Sequence, residues 1–300
     1  MLDNALVAAV AAVVREGSFE RAARALGVTP SAVSQRVRLI EERLGVVLVV
    51  RGQPCTATEA GARLCRHAEL VGLLEAELRR ELPSQGAESD LAAARPRLRV
   101  AVNADSLGTW FVDAAARFAA DGEAALLDVS IDDQDHTADW LRRGHVLAAV
   151  TSLATPIQGC RSRRLGALRY LATASPDFVR RWLADGVTAD TLARTPSLRF
   201  DRKDDLQARW ARRLLRREIE LQAHALPSSH AFVDAALAGL GWGLNPQALV
   251  AHHLAAGRLV ELVPGRPLDV PLWWQSARLP VPSLQRLTRA VVAAADDALA

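Results

Sequence analysis

The sequence predicts a mixed α/β protein with an N-terminal helix-turn-helix and wing, a long linker helix, and a C-terminal α/β domain. Three patterns predict these parts. Residues 18–51 have the pattern of helix, tight turn, second helix and strand, and residues 59–82 carry a long apolar stripe. Beyond residue 97, short apolar runs alternate with helical patterns, which is typical of parallel sheets covered by helices. We therefore divide the 300-residue chain into residues 1–58, 59–90 and 91–300.

The helices of the first segment have clear boundary signals. Ser18 is suited to cap a helix and Gly27 to end it in a left-handed conformation, and Thr29 followed by Pro30 can begin the next helix. In that second helix, apolar residues recur at helical spacing and must face a core. They are Val33, Val37, Ile40 and Leu44.

The opposite, polar face of the second helix is a candidate DNA-reading surface. Short hydroxyls, amides and arginines near a helix N-terminus can meet base edges and phosphates in the major groove. Residues 46–54 predict a short wing beside this helix. The candidate DNA contacts are Ser31, Ser34, Gln35, Arg36 and Arg38, with Arg51 in the wing. The alternative is an ordinary helical hairpin whose polar face is solvated.

A long helix is predicted after the wing. Thr58 can cap it, and Glu59 lies in its first turn, where the helix dipole favours an acid. A stripe of this length favours pairing with a partner helix, and the alternative is packing on its own domain. The stripe consists of Leu64, Val71, Leu74, Leu78 and Leu82. Residues 83–90 predict a linker, because they are small, polar or turn-forming.

Composition limits the function classes. The net charge of +3 is too small to indicate DNA binding by itself. Cys55, Cys65 and Cys160 lack the spacing of a disulfide framework or zinc site, so we expect no metal and a reducing cytoplasm. Cys55, next to the wing, is either a redox sensor or an idle thiol. We find neither a secretion signal nor an apolar run long enough to span a membrane.

Polar residues follow several predicted strands of the third segment. Ligands of α/β folds bind at the carboxyl ends of strands and beside helix N-termini, where backbone N–H groups can hold a carboxylate. Such donors next to aspartates suit an amino acid with a cationic side chain. The alternative is that each aspartate is solvated or caps a turn. The candidates are Asn103, Asp105, Ser106, Asp132, Thr151, Ser152, Ser228, Ser229 and His230.

Signals of enzymatic activity are absent from the sequence. The run Gly239-x-Gly241-x-Gly243 lacks the spacing of a dinucleotide loop, and the chain has no Gly-x-Ser-x-Gly nucleophile motif. Arginines at helical spacing between residues 209 and 217 indicate a solvated face, or else a second DNA or oligomer contact. We therefore expect a regulator and not an enzyme.

The chain resembles a known family in two places. Residues 18–51 resemble the helix-turn-helix of LysR-type transcriptional regulators, at Ala22, Ala23, Leu26, Ser34, Val37, Ile40 and Glu41. Residues 101–110, 132–136, 239–246 and 268–275 resemble the effector domain of the ArgP/LysG branch of that family. Pro30 stands where many members carry Gln, so Ser31, Gln35 and Arg38 would carry more of the base readout.

The resemblance implies an effector domain of two α/β lobes, similar to periplasmic binding proteins, with the ligand between the lobes. It implies a homodimer or tetramer that pairs through the linker helix at Leu64, Val71, Leu74 and Leu78. The implied partners are double-stranded DNA, RNA polymerase and a basic amino acid, either lysine or arginine, with histidine as a further option. No cofactor is implied, and the regulated gene would encode an amino-acid exporter.

The family's ligand positions map to Ser106, Asp132, Thr151, Phe200-Asp201 and Ser228-Ser229-His230. Whether Asp105 or Asp132 binds the cationic end of the ligand stays open. Two other functions also stay open. One is a LysR-type regulator of another small molecule, and the other is a nucleoid-type DNA binder whose effector domain senses nothing.

Overall fold

The computed structural model describes residues 3–81, 95–121, 125–131, 140–141 and 145–300. The chain forms two compact units, one centred on residues 1–98 and the other containing most of residues 99–300. The predicted linker at residues 83–90, Leu82 and Asp132 lie outside the described residues. No helix within the described ranges is both long and apolar enough to cross a membrane.

The N-terminal unit has the predicted helix-turn-helix and wing. Its elements are α1 (Asn4–Glu16), α2 (Phe19–Ala25), α3 (Pro30–Leu44), β1 (Val49–Val50), β2 (Thr56–Ala57) and α4 (Glu59–Glu81). The hydroxyls of Ser18 and Thr29 accept the backbone N–H groups of Arg21 and Ala32, so both predicted caps are confirmed. Strands β1 and β2 pair antiparallel and form the wing. Apolar residues of α1, α2, α3 and the start of α4 share one core.

The apolar stripe predicted along α4 is buried at its beginning and exposed further along the helix. The Thr58 hydroxyl accepts the N–H of Gly61 at 3.0 Å, so the helix begins as predicted. Leu64 belongs to the buried core of the N-terminal unit, because the first turns of α4 pack against α1. The dimer contact predicted for Leu64 is therefore replaced by packing within its own unit. Leu74 and Leu78 are 45% and 54% exposed, and Val71 is half-buried.

The C-terminal unit alternates helices and strands largely as predicted. Its strands are β3 (Arg97–Val102), β4 (Leu126–Ile131), β5 (Ala148–Thr151), β6 (Cys160–Ala174), β7 (Ser197–Arg199), β8 (Ala223–Ala225), β9 (Gly243–Pro246), β10 (Val260–Glu261) and β11 (Leu268–Ala277). Its helices are α5 (Ala104–Thr109), α6 (Phe111–Ala120), α7 (Pro176–Trp182), α8 (Ala189–Arg194), α9 (Leu206–Leu215), α10 (Ser229–Leu237), α11 (Gln247–Ala255) and α12 (Pro282–Ala298).

The seven-stranded sheet is mixed, which corrects the expectation of parallel strands for this sheet. One seven-stranded sheet has the order β10-β6-β11-β5-β3-β4, and β9 also pairs with β6. Strands β3 and β5 are parallel, as are β7 and β8 in a separate pair. The long strands β6 and β11 are antiparallel to each other, and β11 is also antiparallel to β5. Strand β6 extends over 15 residues because its arginine-rich first half, which is not apolar, also pairs with β11.

Candidate functional site

The polar face of α3 is open to solvent. Ser31, Gln35 and Arg38 are exposed and lie at positions i, i+4 and i+7, so they share one side of the helix. Ser34 is half-buried at the edge of this side. Arg36 is also half-buried, but its spacing puts it on another side of the helix, beside the residues that face the core. The structure therefore brings four of the five predicted α3 residues together.

Two of the candidate arginines make contacts within the N-terminal unit. The Nε atom of Arg38 donates to Oε1 of Glu42 at 2.7 Å, although the Arg38 side chain is 79% exposed. The Arg51 guanidinium of the wing lies 5.3 Å from the ring centre of Phe19, at the start of α2. Both arginines are exposed, so each is accessible to a phosphate or a base edge.

A cavity of about 400 Å³ lies within the C-terminal unit. It is bordered by residues that follow β3 and β7, by Tyr170 of β6, and by the end of β9, as the strand-end rule predicts for α/β folds. The polar residues of its lining are Asn103, Asp105, Tyr170, Asp201, Lys203, Asp204, Asp205, Arg209, Ser229 and Asn245. Its apolar lining includes Ile131, Phe200, Phe232 and Leu244.

Asp105 is held by two hydroxyl groups. The Tyr170 hydroxyl donates to its Oδ2 atom at 2.7 Å, and the Ser229 hydroxyl donates to its Oδ1 atom at 2.5 Å. Burial raises the pKa of Asp105, while both hydrogen bonds act in the opposite direction. Burial, together with the negative charge of Asp105, raises the pKa of Tyr170 well above its ordinary value, so this hydroxyl stays a donor.

Asp204 is the second carboxylate of the cavity with a perturbed pKa. It accepts the backbone N–H groups of Phe200 at 2.7 Å and Leu206 at 3.0 Å. Burial raises its pKa, and the charge of Asp105 adds to this shift. Arg209, on the next helix, forms an ion pair with Asp205 at 3.6 Å and lines the same cavity. This part of the lining therefore carries both signs of charge.

Two amide oxygens in the cavity lining lack a partner among the described residues. They are the Oδ1 atoms of Asn103 and Asn245, and both are buried. The Nδ2 atom of Asn245 donates to Thr173 at 3.0 Å, which orients the amide so that its oxygen is the free acceptor. A buried acceptor without a donor costs free energy, so both oxygens suit a ligand that carries N–H groups.

The structure sorts the predicted ligand residues into two groups. Asn103, Asp105, Asp201 and Ser229 line the cavity, although the Asp201 carboxylate also accepts the backbone N–H groups of Lys203 and Asp204 and so shapes its own loop. The remaining described candidates lie outside the lining. They are Ser106, Thr151, Ser152, Ser228 and His230.

Local roles explain part of the second group. Ser228 caps α10 by accepting the N–H of Ala231, and Thr151 accepts the N–H of Leu153. Ser106 is fully buried, and its hydroxyl has no partner in the part of the chain that the structure describes. Ser106 does not line the cavity, and its contact with the ligand stays a prediction.

Sequence reasoning missed Tyr170, Asp204, Arg209 and Asn245. Tyr170 lies in the middle of a long strand, and its only signal is that it is the one tyrosine of the chain. The strand-end rule could have identified Asp204, because this residue follows β7 by a few positions. Within the described residues, no cluster of three or more histidine, cysteine, aspartate or glutamate side chains could hold a metal ion.

Comparisons with known proteins match both units. Residues 5–62 match the bacterial regulatory helix-turn-helix protein model of the lysR family, and residues 92–296 match the LysR substrate binding domain. The HTH-type transcriptional regulator LysG of Mycobacterium tuberculosis is 48% identical over 294 residues, covering 98% of this chain and 94% of that protein. The lysine export transcriptional regulatory protein LysG of Corynebacterium efficiens is 43% identical and covers 94% of both chains.

A solved structure extends this similarity to the fold. Full-length LysG of Corynebacterium glutamicum with bound effector Arg is 40% identical, covers 99% of each chain and has a TM-score of 0.70. The matched segments contain both the helix-turn-helix and the cavity described above. The chain therefore belongs to the LysR family of bacterial helix-turn-helix regulators.

Proposed function

We propose that this protein is a transcriptional regulator that senses a basic amino acid, lysine or arginine, and controls a gene for amino-acid export. The observation that carries the proposal is the cavity, which holds Asp105 and Asp204 beside Arg209. Both carboxylates are buried enough for their pKa values to rise, so a cationic ligand would relieve an unfavourable environment.

A basic amino acid matches the remaining chemistry of the cavity. Its α-carboxylate needs a cation or N–H donors, and its α-amino group and side-chain cation need acceptors. Arg209 and Lys203 supply positive charge, while the two aspartates and the amide oxygens of Asn103 and Asn245 supply acceptors. The volume of about 400 Å³ suits a small molecule of this size.

The relatives support the same ligand class and target. Arginine is the bound effector in LysG of Corynebacterium glutamicum, and the relative from Corynebacterium efficiens is a lysine export regulator. Because this chain and these two relatives match over nearly their full lengths, we extend these properties to this chain. Histidine remains a third basic candidate for the ligand.

The DNA-binding part of the proposal rests on α3 and the wing. Ser31, Gln35, Arg38 and Arg51 are exposed and therefore accessible to DNA. The exposed apolar side chains of Leu74 and Leu78 on α4 support pairing of two copies as a homodimer or tetramer. Such an assembly would read half-sites about 34 Å apart, or multiples of this distance, and would act on RNA polymerase. The ligand can switch it only by binding one arrangement of the assembly better than the other.

Thermal unfolding of the full-length protein against all twenty amino acids tests the proposed ligand class. An amino acid at 100 times its dissociation constant stabilises its binding domain by about 2.7 kcal/mol. We expect this rise only with lysine, arginine or histidine. Citrulline and norleucine, which are uncharged counterparts of arginine and lysine, serve as matched controls and should give little or no rise.

Two outcomes would contradict the proposal. A rise with an uncharged or acidic amino acid alone would indicate a LysR-type regulator of another effector. The absence of a rise with all twenty amino acids would leave a regulator of a different small molecule or a nucleoid-type DNA binder. These two possibilities are distinguished by letting the full-length protein select DNA duplexes from a random pool. A regulator enriches a defined sequence, whereas a nucleoid-type binder does not.

A further inference from the structure

Asp105 is fixed in place by two structural elements other than its own. It lies in the first turn of α5, whereas Tyr170 comes from the middle of β6 and Ser229 from the start of α10. Each of its carboxylate oxygens accepts one hydroxyl, at 2.7 Å and 2.5 Å. Tyr170 is only 1% exposed, and Ser229 is 7% exposed. The orientation of the carboxylate therefore depends on two buried hydroxyl donors.

The same two hydrogen-bond donors also influence the pKa of Asp105. Burial favours the neutral acid and raises the pKa of Asp105, and the hydrogen bonds from Ser229 and Tyr170 counteract that effect. Each donor stabilises the anion more than the neutral acid, because hydrogen bonds to charged groups are the stronger ones. Removing either hydroxyl therefore makes Asp105 a weaker partner for a cation.

The cavity lining has two chemically different parts. Residues 203–209 contribute Lys203, Asp204 and Arg209, and so provide both charges that an amino acid's α-amino and α-carboxylate groups require. Beside Asp105, the one unpartnered buried polar group in the described lining is an acceptor, the amide oxygen of Asn103, because the unpartnered hydroxyl of Ser106 does not line the cavity. Asn245 pairs with Leu171 and donates to Thr173, so its side chain lies on the opposite face of the sheet from that of Tyr170. An ammonium or guanidinium group carries only donors, so it fits this second part.

We propose that Asp105, fixed by Tyr170 and Ser229, is the counter-ion of the ligand's side-chain cation, and that Tyr170 is therefore a specificity-determining position. The α-amino and α-carboxylate groups then lie at Asp204 and Arg209. This assignment rests on the proposed function, since it takes a basic amino acid as the ligand. Tyr170 acts through Asp105, so it is a positioning residue that need not touch the ligand.

The test compares arginine with citrulline, in which a neutral ureido group replaces the guanidinium. Both ligands are titrated by calorimetry into the full-length wild type and into Tyr170→Phe. Where citrulline binds too weakly for direct titration, its affinity is measured by competition against arginine. We expect Tyr170→Phe to weaken arginine binding about tenfold and citrulline binding less than about threefold, because a hydrogen bond to a charged group is the one removed. The ratio of the two affinities therefore falls.

Two further variants keep this result interpretable. Ser229→Ala removes the other hydroxyl and should lower the same ratio, which covers the case in which Tyr170→Phe fails to fold. Thr195→Val is the matched control, since it deletes a buried hydroxyl whose 2.6 Å hydrogen bond to the Thr191 carbonyl lies outside the cavity lining. It should leave the ratio unchanged even where it lowers the unfolding temperature.

Other outcomes would overturn the assignment in recognisable ways. Equal weakening of arginine and citrulline in both variants would place Asp105 at the α-amino end or make Tyr170 merely structural. Unchanged binding of both ligands would show that the hydroxyls of Tyr170 and Ser229 do not control recognition, which overturns the role assigned to Tyr170. Failure of the wild type to bind arginine or lysine would overturn the proposed function itself, and this assignment with it.

Discussion

Glu41 of helix α3 accepts the backbone N–H of Leu48 at 2.8 Å. The same Oε1 atom accepts the N–H of Val49, the first residue of the wing strand β1, at 3.2 Å. Leu48 and Val49 are buried in the core of the N-terminal unit. A single carboxylate therefore joins the C-terminal part of α3 to the wing and sets where Arg51 lies relative to that helix.

Glu41→Ala should loosen the wing. It leaves two backbone N–H groups without their acceptor, and loss of a charged hydrogen-bond partner at a part-buried position costs about 1.5–3 kcal/mol. Hydrogen exchange of the Leu48 and Val49 amides is the direct measurement, and both should lose protection. Glu42→Ala is the matched control, because Glu42 is 58% exposed and its surface ion pair with Arg38 is screened by solvent. If the Leu48 and Val49 amides are equally protected in Glu41→Ala and Glu42→Ala, Glu41 does not hold the wing.

Arg38→Ala should weaken specific DNA binding. Arg38 is exposed at the middle of the polar face, and loss of one arginine contact to a base edge costs about 1–3 kcal/mol. Affinity is measured on a duplex selected from a random pool by the wild type, at one fixed salt concentration. Arg180→Ala, which removes an exposed arginine paired with Asp177 in the C-terminal unit, is the control. Equal affinities for the two variants would exclude Arg38 from readout, and arginine binding should be unchanged in both.

Leu74→Arg should reduce self-association. Leu74 and Leu78 are exposed leucines on one side of α4, and a charge placed between two apolar helix faces has to be buried without a partner. Analytical ultracentrifugation over a concentration series should show a shift towards the monomer. Leu240→Arg introduces the same change at a comparably exposed leucine, 42% against 45%, in the C-terminal unit. A Leu74→Arg protein that stays as associated as this control would mean that α4 is not the pairing surface.

Local signals predicted the N-terminal unit well, because its boundaries are set by short-range hydrogen bonds. Ser18, Thr29 and Thr58 cap helices as their positions in the sequence indicate. The apolar spacing of α3 correctly identified Val33, Val37 and Ile40 as its buried side. Leu44 was wrongly assigned to the core: it is the last residue of the helix and is 43% exposed. Leu64 was assigned to the wrong surface, because a stripe along one helix does not reveal where intramolecular packing ends and the exposed part begins.

The cavity was predictable only in part, since its lining comes from segments far apart in the chain. The strand-end rule found Asn103 and Asp105, which directly follow β3. It could not find Tyr170, which reaches the cavity from the middle of β6 and meets Asp105 across 65 positions of sequence. The antiparallel course of β6 was hidden as well, because alternating strand and helix patterns do not specify strand direction.

Asp105→Asn should stabilise the C-terminal unit while removing its response to arginine. Burial raises the pKa of Asp105 in the folded protein, so the fold favours the protonated acid, and its contribution to stability is lost as the pH rises through that raised pKa. The variant is neutral at every pH. Its Oδ1 atom can accept one of the two hydroxyls, and its Nδ2 atom can donate to the oxygen of the other. At neutral pH without ligand, we therefore expect a higher unfolding temperature than in the wild type, with the difference shrinking as the pH falls. At 100 times the wild-type dissociation constant, arginine should no longer supply its stabilisation of about 2.7 kcal/mol. A variant that is less stable at neutral pH, or that keeps the full arginine response, would show that Asp105 is not a buried anion awaiting a cation.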